Sequence, residues 1–129
     1  MTDSKTPIGI KLHQQSKTLE LNYPEDKNYT LSCEYLRVYS PSAEVLGHAP
    51  GQEVLQVGKI NVGISKLEPV GNYALKITFT DGHDSGIYSW KYFYELCTTF
   101  EEKWQDYLNR LAEAGKSRDP EVQVVRIGN

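Results

Sequence analysis

The chain has 129 residues, 39% of them hydrophobic and 24% charged, which is the composition of one ordinary globular domain with room for a real core. Its net charge of −3 argues against a protein that grips nucleic acid through backbone contacts. No apolar run approaches the ~18 to 20 residues of a membrane-spanning helix. The start, MTDSKTP, lacks the apolar stretch of a signal peptide, so a cytoplasmic protein without a membrane or nucleic-acid partner is expected. Cys33 and Cys97 stand 64 positions apart with no CxxC, and two free thiols are expected.

Residues 1–6 are polar and expected to fray. Ile8, Ile10 and Leu12 alternate with polar neighbours, and Leu19, Leu21 and Tyr23 alternate again after a polar turn, so an N-terminal hairpin with one apolar face is predicted. Pro24 ends it, and residues 25–28 read as a charged turn. Residues 29–40, YTLSCEYLRVYS, are ambiguous between strand and helix. The spacing of Leu31, Tyr35, Leu36 and Tyr39 favours a short helix capped at Thr30 or Ser32. Pro41 closes that element. Residues 42–58, with Gly47, Pro50, Gly51 and Gly58, read as a long ordered loop, a feature more often functional than idle.

A strand is predicted from Val62 and Ile64 to Glu68, turning at Pro69-Val70-Gly71-Asn72 into the segment that organises the chain. There Tyr73, Leu75, Ile77 and Phe79 alternate with polar or small residues, and Asp81-Gly82 is a strong hairpin signal because a type I′ turn needs positive φ at both central residues. A return strand is expected from near His83. With a two- or four-residue loop, Tyr88 and Trp90 join the Leu75 and Phe79 face, while His83, Ser85 and Ile87 point away. Ser89 can cap a helix starting at Trp90, whose Trp90, Phe93, Tyr94 and Cys97 form an aromatic stripe. Thr98-x-x-Glu101 and Thr99-x-x-Glu102 both match the capping-box pattern and open a last helix. Its Phe100, Trp104, Leu108 and Leu111 share a face, and Gly115 stops it. Residues 116–129 add an edge strand or stay mobile.

Three histidines, His13, His48 and His83, are candidates for chemistry. A metal site needs three or four converging ligands; His83 with Asp81 and Asp84, and His48 from the long loop, could supply them. The plainer reading makes Asp81 and Gly82 turn formers and His83 a hydrogen-bonding residue. A triad of Ser85, His83 and Asp81 is disfavoured, since hairpin neighbours alternate faces and no nucleophile elbow is present. Cys97 lies on the apolar stripe and reads as a small buried hydrophobe. Neither a Walker loop nor a dinucleotide fingerprint occurs.

With LRVYSPSAEV at residues 36–45, Gly47-His48, and DGHDSGIYSW at residues 81–90, the chain resembles the gamma-butyrobetaine hydroxylase N-terminal-like domain family, catalogued as a bacterial domain of unknown function. The resemblance covers roughly residues 8–98. It implies a mixed fold of small antiparallel sheets and short helices. In the carnitine-pathway hydroxylases this domain precedes an iron and 2-oxoglutarate dioxygenase domain and holds zinc through three clustered cysteines and the histidine of the DGH motif. By the resemblance His83 is that histidine, but the cysteine positions fall within residues 40–45, here SPSAEV, without a thiol. A dioxygenase is not expected, because the length leaves no room for one and no HxD with a distant His occurs. A similar domain is also fused to iron–sulfur cluster carrier ATPases.

The sequence therefore predicts an α+β fold, with antiparallel β hairpins in a small mixed sheet, short helices and a C-terminal helical segment. The domain spans residues 7–115, and residues 1–6 and 116–129 are mobile tails. The expected function is a stand-alone, non-catalytic binding or adaptor module for an unknown protein partner, contacted through Asp81, His83, Ser85, Ser40 and Ser42. The alternative is an accessory protein that binds iron or zinc through His83, His48 and Asp81 and serves iron–sulfur cluster assembly. No cofactor other than such a metal is expected.

Overall fold

The computed structural model describes residues 5–122, 124, 125 and 127. Two three-stranded antiparallel sheets, ordered β1-β2-β3 and β4-β5-β6, are joined by short helices and followed by two consecutive helices. The mixed α+β class, the antiparallel hairpins and the C-terminal helical segment thus stand as expected. The apolar alternation that predicts the first hairpin produces β1 (Gly9–His13) and β2 (Thr18–Tyr23), with Leu19, Leu21 and Tyr23 fully buried on one face.

The supposed charged turn is shorter than the sequence suggests. A single 3-10 turn at Pro24–Asp26 carries Glu25 at φ 65° and Asp26 at φ 58°, and the chain reverses directly into β3 (Lys27–Ser32). The ambiguous segment is therefore both things in succession. It is strand up to Ser32, whose hydroxyl accepts from the Tyr35 N–H, and then the helix α1 (Cys33–Val38). Every residue of α1 is buried, Glu34 and Arg37 included. The long loop contains one helical turn, α2 (Ala43–Leu46), capped by Ser42.

In the second sheet β4 (Ile64–Val70) runs two residues beyond its expected end, since Pro69 sits on an edge strand where its missing N–H costs nothing. Strand β5 (Ala74–Phe79) pairs with β6 (Ile87–Ser89) in the odd-sum register, placing Tyr88 opposite Leu75 and Ile87 opposite Lys76, as the turn argument requires. The return strand begins four residues later than expected, at Ile87, leaving residues 80–86 outside the ladder. The alternation rule then has no hold on His83, which turns inward and is 6% exposed instead of pointing away from the apolar row.

Ser89 caps α3 (Trp90–Thr98) through the Tyr92 N–H, and Phe93, Leu96 and Cys97 bury its apolar stripe. The two capping boxes do not form. Thr99 closes α3 and opens α4 (Phe100–Ala114) at once, so its hydroxyl turns back and donates to the Glu95 carbonyl, as the Thr98 hydroxyl does to Tyr94. Gly115 ends α4 in the left-handed conformation at φ 65°.

The core is rich in tyrosine, and most of its phenols find backbone carbonyls. Tyr35 donates to Leu96, Tyr88 to Leu36, Tyr92 to Tyr39 and Tyr107 to Gln56. Each such bond ties a side chain to a distant loop or helix end, so these contacts fix relative placement as well as satisfying a buried polar atom. Tyr23 Oη is the exception among the described residues, buried without a partner.

Of the expected mobile tails, residues 1–4, 123, 126, 128 and 129 lie outside the described residues. No strand forms among the described residues of the C-terminal segment. Residues 117 and 118 accept from the Gly58 and Ile60 N–H groups, and Arg118 makes a two-pronged pair with buried Glu34 at 2.7 and 2.8 Å.

Candidate functional site

The two motif segments of the sequence meet in space. Residues 40–46 follow α1 and form α2, and residues 80–86 connect β5 to β6. The meeting point is His83. Its Nδ1 lies 3.0 Å from Glu44 Oε2, and its Nε2 lies 2.8 Å from Ser40 Oγ. A carboxylate oxygen can only accept, so Nδ1 carries the proton in the neutral ring. Nε2 then accepts, and the Ser40 hydroxyl donates to it. Ser40 is fully buried, and its Oγ also accepts from the Ser42 N–H at 3.3 Å.

A second link runs alongside, with Ser42 Oγ 2.7 Å from Ser85 Oγ. Ser42 also accepts the Glu44 N–H, so one hydroxyl caps α2 and holds the facing loop. Close approach of the loops depends on Gly86, which is buried. A Cβ there would sit 2.5 Å from Ser40 Oγ and 3.2 Å from Tyr88 Cε1. These bonds make a clasp between two segments about forty residues apart.

Asp81 anchors the outer side. Its Oδ1 accepts the His83 N–H at 3.1 Å, while Oδ2 accepts from Arg37 Nε at 2.9 Å and Lys59 Nζ at 2.7 Å. Arg37 continues to Gln56 Oε1 at 2.9 Å, drawing the 52–60 stretch into the same network. Partial burial pushes the Asp81 carboxyl upward, but the Lys59, His83 and Arg37 hydrogen bonds outweigh it and bring the pKa down to about 2. For His83 burial dominates and lowers the pKa, with Arg37 acting the same way and Glu44 and Asp81 opposing.

Of the residues the sequence singles out, Ser40, Ser42, Asp81, His83 and Ser85 are brought together, whereas His48 makes no described bond to them. Ser40, Ser42 and His83 are buried, whereas Asp81, Ser85 and the neighbouring Asp84 present exposed surface. Glu44, Arg37 and Lys59 were not picked out by sequence reasoning. Nothing local marks them, since their partners lie 22 to 44 positions away.

The donor set does not fit a zinc ion of the kind the resemblance implies. Both ring nitrogens of His83 are engaged, serine hydroxyls occupy positions 40 and 42, and Val45 is a buried hydrocarbon. Among the described residues no group of three or more His, Cys, Asp or Glu converges as metal ligands would. Ser40, His83 and Glu44 are ordered like a hydrolytic triad. The nucleophile position is nonetheless sealed, and neither Ser40 nor His83 lines any of the five main clefts among the described residues.

Comparison with known proteins places this geometry in a family. Two proteins whose solution structures were determined by NMR are similar over essentially their full lengths. One is 55% identical, with a TM-score of 0.82 over 97% of this chain and 98% of that one. The other is 48% identical, with a TM-score of 0.75 over 100% and 99%. A crystal structure from Acidithiobacillus ferrooxidans, of a protein of unknown function in the DUF971 family, is 30% identical. Its TM-score is 0.61, over 74% of this chain and 97% of its own. No curated protein matches. No described helix is long and apolar enough to cross a membrane. The model of the family described as gamma-butyrobetaine hydroxylase-like, N-terminal, matches residues 10–94, and the chain belongs to that family.

Proposed function

We propose that this domain is a non-catalytic binding module whose clasp holds a contact surface for a protein partner. The observation that carries this reading is the closure of His83. A histidine with both nitrogens bonded and its side chain buried can neither take a substrate proton nor accept a ligand, but it can fix the shape of the loops around it. Ser40, Ser42 and His83 act from beneath, and Asp81 locks the turn through Arg37 and Lys59. The surface they hold in place contains exposed Asp84 and Ser85 near Glu44, with exposed Leu46 at the end of the same α2 turn. Loops displayed on a rigid scaffold in this way are where binding residues concentrate.

The test compares the wild-type protein with Ser85→Arg and Leu46→Arg, each immobilised and exposed to extract of the source cells, with thermal denaturation as the control for folding. A partner retained by wild type and lost from both folded variants supports the module. Turnover of ester, peptide or phosphate substrates that His83→Gln abolishes would replace it with an enzyme. Stoichiometric iron or zinc lost in the same variant would replace it with a metal carrier.

A further inference from the structure

The first sheet has one edge without the usual guard. In β2-β3 pairing, Cys33 N–H donates to the Lys17 carbonyl, so odd-numbered residues of β3 face β2 and the N–H and C=O groups of Asn28 and Thr30 point outward. No described hydrogen bond uses them. The other sheet edges carry familiar protections: β6 has only three residues, β4 has an irregularity at Ser65 and a proline at position 69, and β1 carries Lys11 and His13. Beyond Lys27 at its start, β3 has none of these, and Thr30 is exposed.

A cleft of about 340 Å³ runs beside that edge, between β3 and the start of α4. Tyr29, Leu31 and Phe100 give it apolar surface, and Glu101 and Glu102 stand on its rim. Neither carboxylate has an ion pair among the described residues, although the sheets and helices around them use such pairs repeatedly. Free strand hydrogen bonds, an apolar trough and two unneutralised carboxylates specify a complementary occupant.

We propose that this cleft binds an extended, lysine- or arginine-bearing segment of a partner protein, which adds to β3 as a fourth strand of the sheet. Backbone groups of Asn28 and Thr30 hold the segment in register, alternate apolar side chains enter the trough, and a basic residue reaches Glu101 or Glu102. None of these residues belongs to the His83 clasp, so this surface stands or falls independently of the function proposed above.

The test uses random ten-residue peptides displayed on phage and selected on the purified protein. The expected winners alternate apolar residues with lysine or arginine. A synthetic winner titrated into 15N-labelled protein should shift the amides of Asn28, Thr30 and residues 98–102. Thr30→Pro removes an outward N–H without touching the β2 ladder, and Glu101→Lys/Glu102→Lys reverses the rim. Each should weaken binding at least tenfold while spectra away from the cleft stay unchanged. The double charge variant keeps the test decisive if Thr30→Pro unfolds. Failure to enrich any peptide, winners that bind both variants as well as wild type, or shifts confined to other surfaces would overturn the proposal. So would a wild-type dimer, dissociated by Thr30→Pro, in which a second copy fills the edge.

Discussion

Ser40 Oγ donates a hydrogen bond to His83 Nε2 across 2.8 Å, inside a fully buried contact that joins residues 43 positions apart. The bond matters because each partner has a second obligation. His83 also donates to Glu44, and Ser40 also accepts from the Ser42 backbone. Removing either side chain therefore strands groups that water cannot reach.

His83→Ala is expected to destabilise the protein by about 1–3 kcal/mol, the usual cost of leaving buried polar atoms unpaired. Urea denaturation followed by tyrosine and tryptophan fluorescence measures it. If the ring serves only to fix shape, the variant should remain folded, with native-like chemical shifts at sites remote from residues 40–46 and 80–86.

Gly86→Ala should cost a similar amount, about 1–3 kcal/mol, for the opposite reason. The new methyl group would meet Ser40 Oγ at 2.5 Å in a packed interior. Ser40→Ala removes that oxygen, so the double variant should be less destabilised than the sum of the two single changes. Strict additivity would show that the loops do not approach as closely as described.

Acid should weaken the fold in two stages. His83 has a folded pKa below its ordinary 6.5, chiefly through burial and then Arg37, so the unfolded chain takes up the proton first. The corresponding stability is full above about pH 6.5 and is lost as pH falls from there toward the folded value. Asp81 is held at about 2 against an ordinary 3.8, mainly because hydrogen bonds from Lys59, His83 and Arg37 overcome its burial. Its contribution is full above the ordinary value and is lost as pH falls through about 2. Melting temperature recorded against pH should fall below 6.5 in wild type and fall less steeply there in His83→Gln.

Both cysteines should be inert in the native state. Burial pushes the Cys33 thiol up to about 11 and the Cys97 thiol up to about 12, so almost no thiolate exists at neutral pH. Labelling with Ellman's reagent should be slow in buffer and complete in denaturant. Rapid native labelling of Cys97 would mean that the α3–α4 junction opens far more readily than its packing implies.

Much of the fold was legible because local patterns carry it. Alternation at Leu19, Leu21 and Tyr23 gave the first hairpin, Asp81-Gly82 with the Leu75 to Phe79 alternation gave the second, and Ser89 and one of the two candidates Thr30 and Ser32, namely Ser32, act as the expected helix caps. β3 was hidden because its residues follow a proline and a charged triplet that looked like an ordinary turn, and positive φ at Glu25 and Asp26 cannot be read from residue type. The false capping boxes at Thr98 and Thr99 show the same limit. The motif was present, but two consecutive helices competed for the same hydroxyls.

For the candidate site, the sequence alone determined which residues are unusual: the DGH turn, Ser40, Ser42 and Ser85. Turn chemistry and motif spacing are local, so they survive in one dimension. Only the tertiary structure decided what those residues do. Whether His83 faces water or the interior depends on where the ladder stops. Whether its nitrogens are free depends on Glu44 and Ser40, which the fold delivers from the other side of the chain. Burial and partner choice are long-range quantities, and the bonds from Arg37 to Asp81 and from Arg118 to Glu34 link residues 44 and 84 positions apart. No local pattern encodes such separations, because what brings those groups together is the packing of the shared core.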